Sequence, residues 1–243
     1  MNIPKSHPRY YSLMTRHLIE EGYKKGITHM QGLIAQGRGE AFDYLLGEKT
    51  RSFAKKAIKA SAAQLLLAKN PIISVNGNVA VLCPKEIGKL CRTVNAKAEA
   101  NLFYRSKERI KKIVNHLKKS GVACLGRNAK KKIAGLESKR AIVEENGIYK
   151  ADVVLVMLED GDRTEMLKKA GKKVIAIDLS PQSRTAQKAD ITIVDNVVRA
   201  LPLMVKEAKK LKKKNKKQLT KIVKEFDNKK NMKEAVNYLR KNI

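Results

Sequence analysis

Four short apolar runs mark the middle of the chain: PIISV before Asn76, ADVVLVML at 151–158, VIAI before Asp178 and ITIV before Asp195. VACLG adds a shorter one, and helical patterns lie between them. RSKERIKKIVNHLKKS (105–120) puts Ile110, Ile113, Val114 and Leu117 on one helical face, with Gly121 behind its end, and TEMLKKAG reads as another helix. Strands that are apolar throughout and separated by helices must be covered on both faces. The pattern therefore predicts an α/β fold, a Rossmann-like, mostly parallel sheet with helices on both faces and ligands outside the carboxyl ends of its strands. PIISVNGNVAVLC (71–83) reads as two extended pieces around Asn76-Gly77-Asn78, a turn or a ligand-facing loop.

The flanks are helical. RYYSLMTRHLIEEGYKKG carries Tyr11, Met14, Leu18 and Ile19 near helical spacing and reaches Gly22 and Gly26, two helix-stop residues. TRSFAKKAIKASAAQLLLA repeats Phe53, Ala57, Ala60 and Gln64 on the same period. Beyond residue 204, Leu219, Ile222, Val223 and Phe226 form one stripe, and Met232, Ala235, Val236 and Leu239 another. Three regions follow: a helical 1–68, an α/β core at 69–204, and C-terminal helices at 205–243 that pack on the core with basic outer faces.

Composition sharpens this picture in two places. Net charge is +30, and residues 205–243 hold 15 Lys+Arg against 4 Asp+Glu. A nucleic-acid-binding module is the reflex reading. Aromatics are only 5% of the chain, tryptophan is absent, and no helix-turn-helix, zinc-finger or RNP pattern is present. A lysine-rich surface is favoured instead. No apolar run approaches the roughly 18–20 residues that span a bilayer, and MNIPKSHPRYYSLM has no secretory apolar core. Cys83, Cys91 and Cys124 show no C-x-x-C spacing. Free thiols in a reducing cytoplasm are expected, without a zinc site.

Candidate chemistry gathers in four stretches. In GRGEAFDYLLGE, Arg38 stands between Gly37 and Gly39, followed by Glu40 and Asp43; the reading is either an anion-binding arginine or a tight turn. SHPRYYSLMTRH brings His7, Arg9, Arg16 and His17 together, with Arg9 and Arg16 two helical turns apart on one face. LEDGDRTE gathers Glu159, Asp160 and Asp162 at a strand end, for Mg²⁺ or a substrate ammonium, or else as an acidic helix start in which Asp162 caps and Glu165 completes a capping box. In IDLSPQSRTAQKADITIVDN, Asp178 ends a strand, and Ser180, Ser183, Arg184 and Thr185 follow, with Pro181 placed to start a helix. No Walker A, GxGxxG, GxSxG or HExxH motif is present. From the residues alone, the chain reads as an α/β enzyme that binds phosphorylated small molecules.

These stretches, together with IPKSHPRYYSLMTRHLIEEGYKKGI, VNGNVAVL, NLFYRSKERI, GLESKRA and VVRALPLM, span residues 3–204 in order. They resemble archaeal phosphopantothenate synthetase, the 4-phosphopantoate–β-alanine ligase family. The resemblance implies ATP-dependent condensation of 4-phosphopantoate with β-alanine through an acyl-adenylate, releasing AMP and pyrophosphate, in coenzyme A biosynthesis. It also implies a homodimer and Mg²⁺ carried with ATP. It assigns ATP to Arg16, Arg38, Asp178, Leu179, Ser180, Arg184, Thr185, Asn196 and Val197. His7, Arg9, Glu40, Asn76, Asn78, Glu159, Asp160 and Asp162 are the candidates for the other substrates or a metal. Ser180 stands where many relatives are expected to carry asparagine, and Lys130–Lys132 and the tail are more basic than expected. A different ATP-dependent ligase or kinase on a related acid is the neighbouring alternative.

Overall fold

In this computed structural model, which describes residues 3–241, the apolar runs are the strands of one parallel sheet. Its strands are β1 (Pro71–Val75), β2 (Lys97–Ala100) and β3 (Cys124–Leu125), then β6 (Val153–Met157), β7 (Lys173–Ile177) and β8 (Ile191–Ile193). They lie side by side as β3-β2-β1-β6-β7-β8, every pair parallel. Two further strands, β4 (Lys131–Lys132) and β5 (Ile142–Val143), pair antiparallel by themselves. Strand order grows outward from β1 in one direction and, after the crossover to β6, in the other. That is the doubly wound arrangement, and its reversal point lies between β1 and β6.

Period-two alternation splits each strand between two cores. Ile73, Val75, Leu155, Met157, Ile175 and Ile177 face a large core, shared with α3 (Ser52–Leu67), α5 (Pro84–Val94), α6 (Lys107–Lys119) and α9 (Val197–Leu211). Ile72, Val154, Val156, Val174 and Ala176 face a smaller one, closed by Leu167 of α7 (Gly161–Lys169) and by Ile133, Val143, Ile148 and Ala151. The second face is therefore covered largely by the irregular stretch that carries β4 and β5. At the C-terminus, α10 (Lys216–Lys224) and α11 (Asn228–Arg240) pack on α3 through Leu219, Met232, Ala235 and Leu239. Of their apolar stripes, those four residues are buried while Ile222, Val223, Phe226 and Val236 are half-buried, and an Asn215–Gln218 capping box starts α10.

Several local expectations change. The second piece of PIISVNGNVAVLC is the short helix α4 (Gly77–Leu82), with Asn76 as its N-cap accepting from Val79 N. An asparagine after a strand serves equally well in a turn or as a helix start, so the pattern did not separate them. GRGE is no turn either: it lies inside α2 (Met30–Leu45). In α1 (Tyr10–Lys24) the buried face is Ser12, Ile19 and Gly22, while Tyr11 is 82% exposed. Gly22 does not stop the helix; a side chain there would crowd Val81 and Thr28, so glycine permits close approach of α4. Gly26, at φ +68°, follows the C-cap Lys25. Asp160, not Asp162, is the N-cap of α7 and makes no side-chain cap, and Glu165 pairs with Lys169 and Lys188. Helix α8 (Arg184–Lys188) starts from Ser183, whose hydroxyl accepts from Ala186 N, rather than from Pro181.

Candidate functional site

Loops leaving β1 and β6 diverge at the reversal point and open a crevice at the carboxyl edge of the sheet. α2 roofs it, giving a cleft of about 610 Å³, within the roughly 300–1,000 Å³ usual for ligand sites. Gly39 faces Leu179 across this roof, so the helix comes close to the loop after β7. Of the residues singled out in the sequence, Arg38, Asn76, Asn78, Glu159, Asp160, Asp178, Leu179 and Ser180 line the cleft together.

The wall after β7 is organised by Asp178. Its Oδ1 accepts from Ser180 N at 2.9 Å and its Oδ2 from Ser183 Oγ at 2.6 Å. Burial raises its pKa, opposed by those two donors and by the charge of Arg38. Each carboxylate oxygen keeps a second lone pair for a further donor. Arg38 is exposed on α2 and lines the cleft above this loop.

The opposite wall is built on a buried ion-pair chain. Glu159 receives Arg163 Nη1 on Oε2, and Arg140 Nη1 lies 2.7 Å from Oε1. Arg163 is 1% exposed, also donates to Ser74 Oγ, and leaves its Nε without a partner. Arg140 Nε lies 2.7 Å from Asp160 Oδ2, an ionic approach without hydrogen-bond alignment. Burial raises the Asp160 pKa against that attraction. Just before Glu159, Leu158 holds φ at +51°, a conformation uncommon outside glycine. Asn76 Nδ2 donates to the carbonyls of Met157 and Leu158 at 2.8 and 3.1 Å and ties β1 to this bend. Asn78 Nδ2 donates to Gly32 O, hooking α4 to the roof. Glu159, Asn76 and Asn78 are thus engaged in holding the cleft's shape.

His29, Tyr104 and Arg109 complete that wall, and sequence reading missed all three, as it missed Arg140. His29 and Tyr104 stack with centroids 4.2 Å apart. His29 Nδ1 accepts from Gln31 N, which places the proton of the neutral ring on Nε2. Burial, then the nearby Arg109 charge, lowers its pKa. NLFYRSKERI did contain Tyr104 and Arg109, but nothing in an amphipathic pattern marks which arginine turns inward.

Other candidates sit elsewhere. Arg9 and Arg16 do share a face, and both meet Glu40: Arg16 Nε at 2.6 Å and Arg9 Nη2 at 3.2 Å, with Tyr44 Oη on the same carboxylate. Burial would raise Glu40, but Arg16, Tyr44 and Arg9 outweigh it and hold its pKa low. Asp43 pairs with Arg199, which also reaches Asp195 at 2.7 Å. Asn196 caps α9 through Val198 N and donates to Asp43. Thr185 donates to Glu159 O, and Val197 is buried. Arg184 is exposed, its backbone packed so closely on Gly161 that a side chain there would overlap it. His7 Nδ1 accepts from Arg9 N, and Asp162 sits in the first turn of α7. Asp178, Asp195 and Asn196 nevertheless share one sheet edge, following β7 and β8.

Known proteins place this architecture. The chain matches the family described as phosphopantothenate/pantothenate synthetase over residues 53–242. It is 55% identical to the 4-phosphopantoate–β-alanine ligase of Thermococcus kodakarensis over 242 residues, covering 99% of this chain and 93% of that protein. The ligase of the same name from Methanosarcina mazei is 49% identical over 243 residues, 100% of this chain and 96% of that protein. That from Methanospirillum hungatei is 44% identical over 241 residues, with 99% and 98% covered.

Proposed function

The chain belongs to the phosphopantothenate/pantothenate synthetase family, and from that membership we propose that it joins 4-phosphopantoate to β-alanine at the expense of ATP. The substrate carboxylate attacks the α-phosphorus, forming an O–P bond as pyrophosphate leaves. The amine then attacks the carbonyl of the mixed anhydride, a C–N bond forms, AMP leaves with the bridging oxygen as the acyl C–O bond breaks, and the amine releases a proton to solvent. No covalent protein nucleophile is needed; orientation and charge neutralisation carry the rate.

The observation that supports this best is that Arg38 and the Asp178–Ser183 loop line the same cleft. The loop offers the Asp178 lone pairs to hydroxyls, and Arg38 offers a guanidinium fork to phosphates. Arg184, Thr185, Asn196 and Val197, which follow β7 and β8, and Arg16 of α1 complete the ATP site in this reading. Exposed Tyr11, Met30 and Ile34 on α1 and α2 support a homodimer whose second subunit completes that end of the site. Mg²⁺ is assigned in this reading to the ATP phosphates, where it would supply charge neutralisation. Cytoplasmic placement follows from the same metabolic role. Incubating the protein with ATP, Mg²⁺, 4-phosphopantoate and β-alanine is expected to release AMP; ADP as product, or equal turnover of unphosphorylated pantoate, refutes the assignment.

A further inference from the structure

We propose that Arg199 is a positioning residue for the nucleotide: it clamps α2 to the corner between β8 and α9, and so fixes where Arg38 and Asn196 stand relative to each other. This rests on the ligase reading above and adds to it a residue that acts only through its neighbours.

Arg199 is the third residue of α9, and its guanidinium forks between two buried carboxylates from distant segments. Its Nη1 and Nη2 donate to Asp43 Oδ2 and Oδ1 of α2 at 3.0 and 2.5 Å. Its Nε and Nη2 donate to Asp195 Oδ1 at 3.0 and 2.7 Å. The same two acids hold Asn196, whose backbone N–H donates to Asp195 Oδ1 and whose Nδ2 donates to Asp43 Oδ2, each at 2.8 Å. Thr50 Oγ1, two residues ahead of α3, donates to Asp195 Oδ2 at 2.6 Å. One guanidinium thus ties α2, the approach to α3 and the β8–α9 corner together.

Helix stability does not call for a cation here. The first turn of a helix carries the positive end of its dipole, so an arginine at that place is locally unfavourable. What Arg199 secures is the spacing between segments. Without it, the two buried carboxylates that share its Nη2 would face each other, and their repulsion would part α2 from the corner. Asp43 stands one helical turn beyond Gly39, on the same face of α2. Gly39 is where α2 comes down on Leu179, and Arg38 beside it lines the cleft. Asp43, Asp195 and Arg199 are outside the cleft lining. A shift at Asp43 therefore reaches the nucleotide side through Gly39 and Arg38 on one path and through Asn196 on the other.

The test uses full-length wild type, Arg199→Met, Arg199→Lys and the double variant Arg199→Met with Asp43→Asn, each assayed well below its melting temperature. Calorimetric titration with ATP and Mg²⁺ reads nucleotide binding without turnover. Steady-state assays give kcat and KM for ATP, 4-phosphopantoate and β-alanine. A displacement of about 1 Å costs on the order of 100-fold in rate, so kcat/KM for ATP should fall by that order in Arg199→Met while KM for 4-phosphopantoate holds. The double variant, which removes the repulsion, should recover part of the ATP affinity. Arg199→Lys, which keeps the charge but not the fork, should fall between wild type and Arg199→Met. A merely structural role lowers the melting temperature and leaves ATP binding intact in the folded protein. That result overturns the proposal, as does an equal rise in all three KM values or no recovery in the double variant. Should Arg199→Met fail to fold, Arg199→Lys and the double variant decide by the same readings. Wild type that binds ATP but releases no AMP refutes the ligase reading alone, since ATP titration of the variants still decides the role of Arg199. Wild type that does not bind ATP refutes both.

Discussion

Arg163→Met removes a buried cation while keeping an unbranched apolar stem. Arg163 and Glu159 are 1% and 2% exposed, and the guanidinium also satisfies Ser74. With the cation gone, Glu159 retains Arg140, whose Nη1 also donates to the same Oε2 at 3.0 Å, and the Asp160 amide on Oε1, yet the carboxylate loses one of its two charged donors within the protein interior. Breaking a buried pair from one side destabilises by roughly 3–5 kcal/mol. For a chain of this size each kcal/mol corresponds to about 2–4 °C in Tm, so a fall of roughly 6–20 °C is expected. Because the damage comes from the stranded carboxylate, Glu159→Gln combined with Arg163→Met should restore part of the loss. Thermal and urea denaturation of the two single variants and the double variant give that coupling directly. A loss under about 1 kcal/mol for Arg163→Met, or strict additivity in the double variant, would falsify the reasoning that the pair acts as one unit.

Other outcomes follow from the same structure. Glu99 is fully buried, accepts from Glu144 N and Ile148 N, and is pushed by burial to about 7 from an ordinary 4.5. Its folded pKa lies above its unfolded one, so its stabilisation is complete below about pH 4.5 and is lost as pH rises through about 7. Urea unfolding between pH 5 and 8 should show a decline worth up to about 3 kcal/mol that Glu99→Gln flattens; an unchanged slope refutes it. Gly77→Ala places a side chain against Ile27 O and Thr28 Cα, so reduced thermal stability and loss of ligation are expected together; a fully active, stable variant rules out this close approach. Arg38→Ala, at an exposed position, should abolish most turnover through lost phosphate stabilisation while the melting temperature holds. An active Arg38→Ala enzyme removes Arg38 from the chemistry.

Much of the fold could be read from periodicity because burial imposes it. Strands covered on both faces must be apolar throughout, so VVLVM and VIAI announced a parallel sheet, and the α6 stripe from Ile110 to Leu117 could only pack against it. Asp178 and Ser180 were also legible, because a polar cluster directly after such a strand has to stand at the sheet's carboxyl edge. What the chain could not reveal locally was which partner each charge would meet. Arg9 and Arg16 were placed on one face by spacing, but only the packing of α1 on α2 delivered them to Glu40. Glu159 read equally well as a metal ligand or an ammonium partner; in the fold it is engaged by Arg140 from another segment and by Arg163 four residues on. Arg109 looked like any other charge on an amphipathic helix, and its place in the cleft wall, donating to Tyr104 O and Ile27 O, is a property of the assembled fold. Periodicity records how much of a residue is buried, which local sequence controls. Ion-pair choice depends on distances between segments far apart in the chain, and those exist only once the sheet and its crossovers have formed.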